Sequence, residues 1–463
     1  MDRAPRPAVF QIRHQARREL RATIVLALPL VIGQLSSIGM NLVDTALAGH
    51  HGSATLAAVG VGSPVWSLAL LLIIGVLMAV PPSVSQLNGA GRRQAIGPLF
   101  RQALWLGVAL GFGLLLALQF SEHLLRAIGI AAEVRPEAMG FLRAIAWGAP
   151  ALSLYFCCRY LSEGIGWTLP TMLIGVGGLL LLGPLGWLLL HGGLGIPAMG
   201  AAGLGYATAA VLWLQLLAYL TCLRVGRPFA DLGLFDRFDW PDVGQIRELL
   251  RVGVPMGVSI FMEGGLFVAT ALVIGTMGQT AIAAHQVAIL AASVTFMVPL
   301  GVAMATTVRV GYAAGRQDAE GVRWAGRAGY VITLGTQVVS ALALTFGATW
   351  IAAGMTSDAA VAGLAASLMM YAAAFQFSDG FQALSAGALR GLKDTRVPMF
   401  YTAFAYWGVG MPMGWWMGKV QGLGPAGMWW GLIVGLSTAA LLLTARFQRL
   451  SSRAMAAAIP AAP

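Results

Sequence analysis

The chain has 463 residues, of which 58% are hydrophobic and only 10% are charged. Soluble domains carry roughly 25% charged residues, so this composition excludes a soluble globular protein and indicates an integral membrane protein. The formal net charge of +11 does not indicate nucleic-acid binding, because the basic residues are spread over alternate loops and include only two lysines.

A helix of about 20 apolar residues crosses a bilayer core of roughly 30 Å. Taken in chain order, stretches of this length predict twelve membrane-spanning helices. Their predicted limits are 23–46, 54–82, 96–118, 140–158, 168–190, 199–222, 248–276, 281–308, 325–352, 360–388, 397–417 and 424–445. We therefore predict an all-α membrane protein.

The loops between these spans differ in charge. Of the 29 arginines and lysines, 25 fall on one side, Arg159 among them, and four fall on the other. Positively charged loops stay on the cytoplasmic side, so both termini are predicted to be cytoplasmic. A chain whose two ends share one side must cross the membrane an even number of times, which agrees with twelve spans.

The two halves of the chain repeat each other at an offset of about 226 residues. Pro29 matches Pro255, and further short matches follow in the same order. Six spans per half make the repeats parallel, as in transporters with two lobes. We predict an N-lobe over 1–230, with spans 1–6, and a C-lobe over 231–463, with spans 7–12, joined by a polar cytoplasmic linker.

Three carboxyl side chains fall inside predicted spans, away from their cytoplasmic ends: Asp44, Glu263 and Asp379. A charged residue at the centre of a membrane helix costs roughly 2.5–3.5 kcal/mol, so these three are functional candidates. Counted from Arg251 and Arg390, Glu263 and Asp379 both lie about 16–18 Å into the membrane, near its middle. Two carboxyls at one depth can share a proton or a small cation. The pair is therefore predicted to be a coupling site, the alternative being a buried pair that fixes helix packing.

Asp44 allows two interpretations. It lies 23 residues after Arg21, which places it near the outer surface if the first helix starts there. It is then an exposed carboxylate at a helix end. If the helix begins below the membrane, Asp44 lies in the outer half of the N-lobe.

Apolar residues near the carboxyls are candidates to line a cavity. Met262, Phe267 and Phe375 lie at helical spacing around Glu263 and Asp379, although the same spacing fits side chains that face lipid. Gln286, beside His285 near the outer start of the eighth span, is a further candidate. A lone histidine at the position of His285 is more often a packing or interfacial group than a ligand.

Four segments together resemble the multidrug and toxic-compound extrusion (MATE) family, NorM branch. They are Asn41–Gly49, Gln86–Arg92, Ala283–Ala288 and Ala386–Gly391. The resemblance implies twelve helices in two six-helix lobes around a central cleft. It implies export of lipophilic, often cationic compounds in exchange for Na⁺ or H⁺, with no cofactor, by a monomer in the bacterial inner membrane.

The same resemblance assigns the coupling carboxylates to Glu263 and Asp379 and the first-helix aspartate to Asp44. Within the fifth span, the stretch Leu179–Trp187 lacks the asparagines that relatives often carry, and Phe375 stands where a tyrosine is common. Because Na⁺ requires several oxygen ligands, these departures favour H⁺ as the coupling ion. Na⁺ at Glu263 and Asp379 remains the alternative, and no metal site is otherwise indicated.

Three other functions fit the sequence less well. A flippase for a lipid-linked intermediate would need a basic cavity for pyrophosphate, and no arginine or lysine is predicted near the middle of a span. A membrane-embedded enzyme that used Glu263 and Asp379 as an acid and base would need a loop of polar catalytic groups, which the sequence does not show. A scaffold or receptor would not need two carboxyls at matched depth.

Overall fold

The computed structural model describes residues 8–458, apart from 128 and 194. Arg3 and Arg6, which contribute to the predicted cytoplasmic charge, lie outside the described residues. Within the described part of the chain, all regular structure is helical except for one isolated bridge between Gly193 and Ile196. The predicted class, an all-α membrane protein, is confirmed.

The helices of the first half are α1 (Ala8–His51), α2 (Ser53–Leu77), α3 (Val80–Gly89), α4 (Ile96–Gln119), α5 (Ser121–Ala127), α6 (Arg135–Ala146), α7 (Ala149–Gly164), α8 (Leu169–His191) and α9 (Gly200–Val225). Those of the second half are α10 (Val243–Gly275), α11 (Gln279–Gly315), α12 (Ala319–Met355), α13 (Ala359–Gly391), α14 (Arg396–Ala403), α15 (Met411–Trp415) and α16 (Pro425–Ala458). A π-helical segment, Phe404–Gly410, joins α14 to α15, and a second one, Trp416–Val420, follows α15.

Among the described residues, ten helices are long and apolar enough to cross a membrane, and the bent pair α6–α7 makes an eleventh. These eleven correspond to predicted spans 1–10 and 12. The bend between α6 and α7 is 43°. Pro150 lies in the first turn of α7, where its missing N–H is tolerated, and this explains why one helix ends and another begins inside the predicted fourth span.

The predicted eleventh span, 397–417, is helical but irregular. It consists of α14, a π segment, α15 and a second π segment, none of which is long enough to cross a membrane alone. It packs against α16 through facing glycines. A Cβ atom placed on Gly431 would lie 2.3 Å from the Cα of Gly414, and one on Gly435 would lie 2.8 Å from the Cα of Gly410. Such close approach of two backbones needs residues without side chains.

We expect Gly431→Ala to lower the stability of the protein by about 1–3 kcal/mol, because the added methyl group overlaps the backbone of Gly414. Thermal unfolding of the purified protein in detergent measures this. Gly335→Ala in α12 is the matched control, since nothing lies within 4 Å of a Cβ at that position. A Gly431→Ala variant as stable as the Gly335→Ala variant would contradict the tight glycine contact.

The chain folds into two compact units. The N-unit is Ile32–Phe261, and the C-unit consists of the described residues before Ile32 and after Phe261. The division falls inside α1 and α10, in each case a few residues after a proline, Pro29 or Pro255. The lobe boundary between residues 230 and 231 stays a prediction.

Within the N-unit, ion pairs and hydrogen bonds connect the segment between α9 and α10 to α4 and the residues just before it. Arg101 forms an ion pair with Asp239 at 2.7 Å, and Arg93 forms one with Asp231 at 2.6 Å. The hydrogen bond from Arg93 lowers the pKa of Asp231 below its ordinary value. The Gln102 side chain also donates to the carbonyl oxygen of Trp240 at 3.0 Å. The predicted linker is thus an ordered part of the N-unit.

Candidate functional site

The two carboxyls predicted to form the coupling site lie together in the C-unit. Asp379, on α13, is 3% exposed, and Glu263, on α10, is partly buried. They are close enough to interact electrostatically. The amide of Gln382, one turn after Asp379, donates to Oε2 of Glu263 at 3.5 Å. The structure therefore brings these two predicted residues to one place.

Tyr406 and Gln382 complete this carboxyl cluster, and neither was predicted. Tyr406 lies in the first π segment, and its hydroxyl interacts electrostatically with Glu263 and Asp379. Two oxygen atoms of the cluster are buried without a hydrogen-bond partner: Oδ1 of Asp379 and Oε1 of Gln382. Buried polar atoms without partners are rare and call for an explanation. Oxygen atoms gathered in this way can bind a proton or a small cation.

The α13 segment that carries Asp379 is held in place by buried amides. The Gln376 side chain donates to the Thr295 hydroxyl of α11 at 2.7 Å, and Gln337 of α12 donates to the Gln376 carbonyl oxygen. Gln337 packs where Gly380 has no side chain, since a Cβ there would lie 2.3 Å from its amide nitrogen. Three helices therefore position the turn that contains Asp379.

An apolar cluster adjoins the carboxyls. Phe375, one turn before Asp379, is 2% exposed, and its ring centre lies 6.0 Å from that of Phe267 and 5.7 Å from that of Trp429. Met262 packs against the same cluster, and its carbonyl oxygen accepts a hydrogen bond from the Trp407 indole at 3.2 Å. Of the predicted lining residues, Met262, Phe267 and Phe375 are thus gathered beside the carboxyls.

Gln286 is not gathered with them. Its side chain is exposed, whereas the neighbouring His285 is 2% exposed and lies edge-on to Trp429, with ring centres 5.8 Å apart. Successive residues of a helix point about 100° apart, so only one of the two can face the interior. The structure assigns His285 to packing.

Asp44 lies in the N-unit and is 6% exposed. The Thr208 hydroxyl of α9 donates to its Oδ2 at 3.1 Å, and its Oδ1 is buried without a partner. The interpretation of Asp44 as an exposed helix-end carboxylate is therefore wrong. Because α1 already extends from Ala8 to His51, Asp44 lies two turns inside the helix rather than at its end.

A buried ion pair in the N-unit was missed by the sequence reasoning. Arg159 and Glu163, one turn apart on α7, lie 2.6 Å from each other, with side chains 3% and 2% exposed. Arg159 also donates to Oε1 of Gln34 at 2.8 Å, and the Thr171 hydroxyl donates to Glu163 at 3.2 Å. The assignment of Arg159 to a loop is wrong, because α7 continues as far as Gly164. Because Glu163 neutralises Arg159, the pair is not the basic cavity that a flippase needs.

Known proteins resemble this chain over most of its length. The model of the MatE family matches residues 29–188 and 255–416. The two matched segments start at Pro29 and Pro255, the prolines with which the internal repeat begins. One curated relative is the "Probable multidrug resistance protein NorM" of Xanthomonas campestris pv. campestris, 54% identical over 96% of this chain and 96% of that protein. Another is the "Multidrug resistance protein PmpM" of Pseudomonas aeruginosa, 40% identical over 94% of this chain and 93% of that protein.

Solved structures share the fold. A MOP superfamily transporter from Pyrococcus furiosus superposes with a TM-score of 0.87 at 22% identity, over 94% of this chain and 97% of that chain. The eukaryotic MATE transporter AtDTX14 superposes with a TM-score of 0.85 at 18% identity, over 95% of this chain and 99% of that chain.

Proposed function

Because the chain belongs to the MatE family, NorM branch, we propose that it is a secondary active multidrug exporter that moves lipophilic cations outward in exchange for H⁺ by alternating access. It is a transporter rather than an enzyme. The observation that best supports the coupling mechanism is the pairing of Glu263 and Asp379 inside the C-unit, where Oδ1 of Asp379 and Oε1 of the neighbouring Gln382 are buried without hydrogen-bond partners.

Proton exchange follows from the chemistry of this pair. Two carboxylates that share a buried site repel each other, and a shared proton removes that repulsion. When the proton leaves, the negative charge that appears can attract a cationic substrate. Proton and substrate then compete for one site, which is the condition for exchange between them.

The neighbouring aromatic rings suit the proposed substrates. A lipophilic cation has an apolar body and a charged group. The partly buried Phe267 offers apolar surface and a ring face that attracts cations, the buried Phe375 packs behind it, and Glu263 and Asp379 supply the negative charge. Met262, partly buried in the same cluster, has a flexible side chain that adapts to ligands of different shape. This combination favours many substrates over one.

The coupling ion is proposed to be H⁺ rather than Na⁺. Asp44 has one hydrogen-bond partner, Thr208. The α8 residues Leu185 and Leu189, which pack with Val43 against an apolar cluster, carry no oxygen on their side chains. Na⁺ prefers several oxygen ligands.

We further propose that the protein acts as a monomer in the bacterial inner membrane. Both termini are proposed to lie in the cytoplasm, as the distribution of its arginines indicates.

Reconstitution tests the proposal. Purified protein in liposomes is given a fluorescent lipophilic cation, and its movement is followed under a pH gradient alone and under a Na⁺ gradient alone. We expect uphill movement with the pH gradient and none with the Na⁺ gradient. Movement driven only by Na⁺ would overturn the proposed ion, and no movement under either gradient would overturn the proposed exchange.

A further inference from the structure

Two histidines meet at the ends of α1 and α8 in the N-unit. His51 is the last residue of α1, and His191 is the last residue of α8. Their ring centres lie 5.2 Å apart, and both side chains are exposed. His191 also packs against Trp187, with ring centres 5.3 Å apart, and this contact holds the His191 ring in place. Nothing in the proposed transport mechanism uses these two residues.

The hydrogen bonds of the two rings leave one nitrogen of each available. Nδ1 of His191 lies 3.2 Å from the carbonyl oxygen of Trp187. A carbonyl oxygen only accepts, so this nitrogen carries the proton and Nε2 keeps its lone pair. Nδ1 of His51 pairs with the Thr55 hydroxyl at 2.9 Å, and the hydroxyl can accept in the same way. A carbonyl or hydroxyl partner on the second ring nitrogen orients histidines that bind metals.

The electrostatic setting favours a cation. The last carbonyl groups of an α-helix lack partners within the helix and give its C-terminal end a partial negative charge. Because His51 and His191 are both last residues, two such helix ends meet at the pair. At His51 the partial positive charge at the start of α2, two residues later at Ser53, offsets that of the α1 end, so the C-terminal end of α8 supplies the attraction for a positive ion.

We propose that His51 and His191 form a binding site for a divalent transition-metal ion such as Zn²⁺ or Cu²⁺. Imidazole nitrogen is a preferred ligand of these ions. Two imidazoles that bind one tetrahedral Zn²⁺ at about 2.0–2.1 Å have ring centres roughly 5 Å apart, which is the spacing seen. The described residues contain no group of three or more histidine, cysteine or acidic side chains that could hold a metal. The protein thus supplies two ligands, and water completes the coordination.

An ion at this site joins α1 to α8. Asp44 lies seven residues, about two turns, before His51 on α1. The metal therefore fixes the end of the helix that carries the buried carboxyl of the N-unit.

Calorimetric titration of the full-length protein with ZnCl₂, after removal of any histidine tag, tests the site. We expect one ion per chain, and His51→Ala and His191→Ala are each expected to weaken binding at least about tenfold. Both side chains are exposed, so the variants are expected to fold, and gel filtration checks this. With Cu²⁺, electron paramagnetic resonance is expected to show coupling to two imidazole nitrogens in the natural protein and to one in each variant.

His50→Ala is the matched control. His50 is also exposed, and its Nδ1 also pairs with a carbonyl oxygen, that of Ala46, but it points away from His51 on the same helix. Its replacement is expected to leave Zn²⁺ affinity unchanged. Unchanged affinity in either His51→Ala or His191→Ala, or an equal loss in His50→Ala, would overturn the proposal.

Discussion

Asp379→Asn and Glu263→Gln are each expected to abolish gradient-driven export and to leave the protein inserted and folded. Each amide keeps the shape of the carboxyl it replaces but cannot gain or lose a proton near neutral pH. The variant then has no group that proton and substrate can exchange at this position. The measurement is transport of a lipophilic cation by reconstituted protein under a pH gradient, where each variant is expected to match protein-free liposomes.

Stability separates this loss from misfolding. A neutral amide avoids the cost of a charge inside the membrane, so thermal unfolding of both variants is expected at the temperature of the natural protein or above it. Asp44→Asn is the comparison variant in the N-unit, where the carboxyl is also buried but has a Thr208 hydroxyl as its partner. We expect a smaller effect there. Undiminished export by both C-unit variants would remove Glu263 and Asp379 from the mechanism.

Glu163→Gln is expected to destabilise the protein by about 3–5 kcal/mol, because it leaves the buried guanidinium of Arg159 without a negative partner. Thermal unfolding in detergent measures the loss. The double variant Arg159→Met, Glu163→Leu is expected to recover most of the lost stability, since apolar residues can replace a buried ion pair at little cost.

The exposed pair Arg126–Glu122 provides the control. It has the same spacing of four residues on a helix, but its side chains are 61% and 37% exposed. Glu122→Gln is therefore expected to change stability by less than about 1 kcal/mol. If Glu163→Gln were equally mild, or if the double variant were as unstable as the single one, the buried pair would not contribute as described.

The features predicted well from the sequence are those that depend on single residues in an apolar background. Length and hydropathy located most spans, because the bilayer requires about 20 apolar residues whatever the neighbours are. Glu263 and Asp379 stood out for the same reason. Their common depth followed from helix rise, and the structure places them together.

The features that were missed depend on neighbours. Arg159 and Glu163 looked like residues of a loop because hydropathy counts each charge separately and does not register that two charges one turn apart neutralise each other. Tyr406 and Gln382 carry no signal of their own, since polar residues within spans more often serve packing. The depth of Asp44 in the membrane was ambiguous because it depends on where α1 begins. Neither capping residues nor hydropathy defines that starting residue.

The glycine contact between the eleventh span and α16 has a consequence for biosynthesis. Residues 396–420 leave the ribosome before α16 exists, and at that stage the irregular backbone of the π segments has no partner surface in the lipid. We expect this part of the chain to enter the bilayer stably only once the residues after Pro425 have been made. A nascent chain truncated just before Pro425 is then expected to have a last span that does not stay inserted in the membrane.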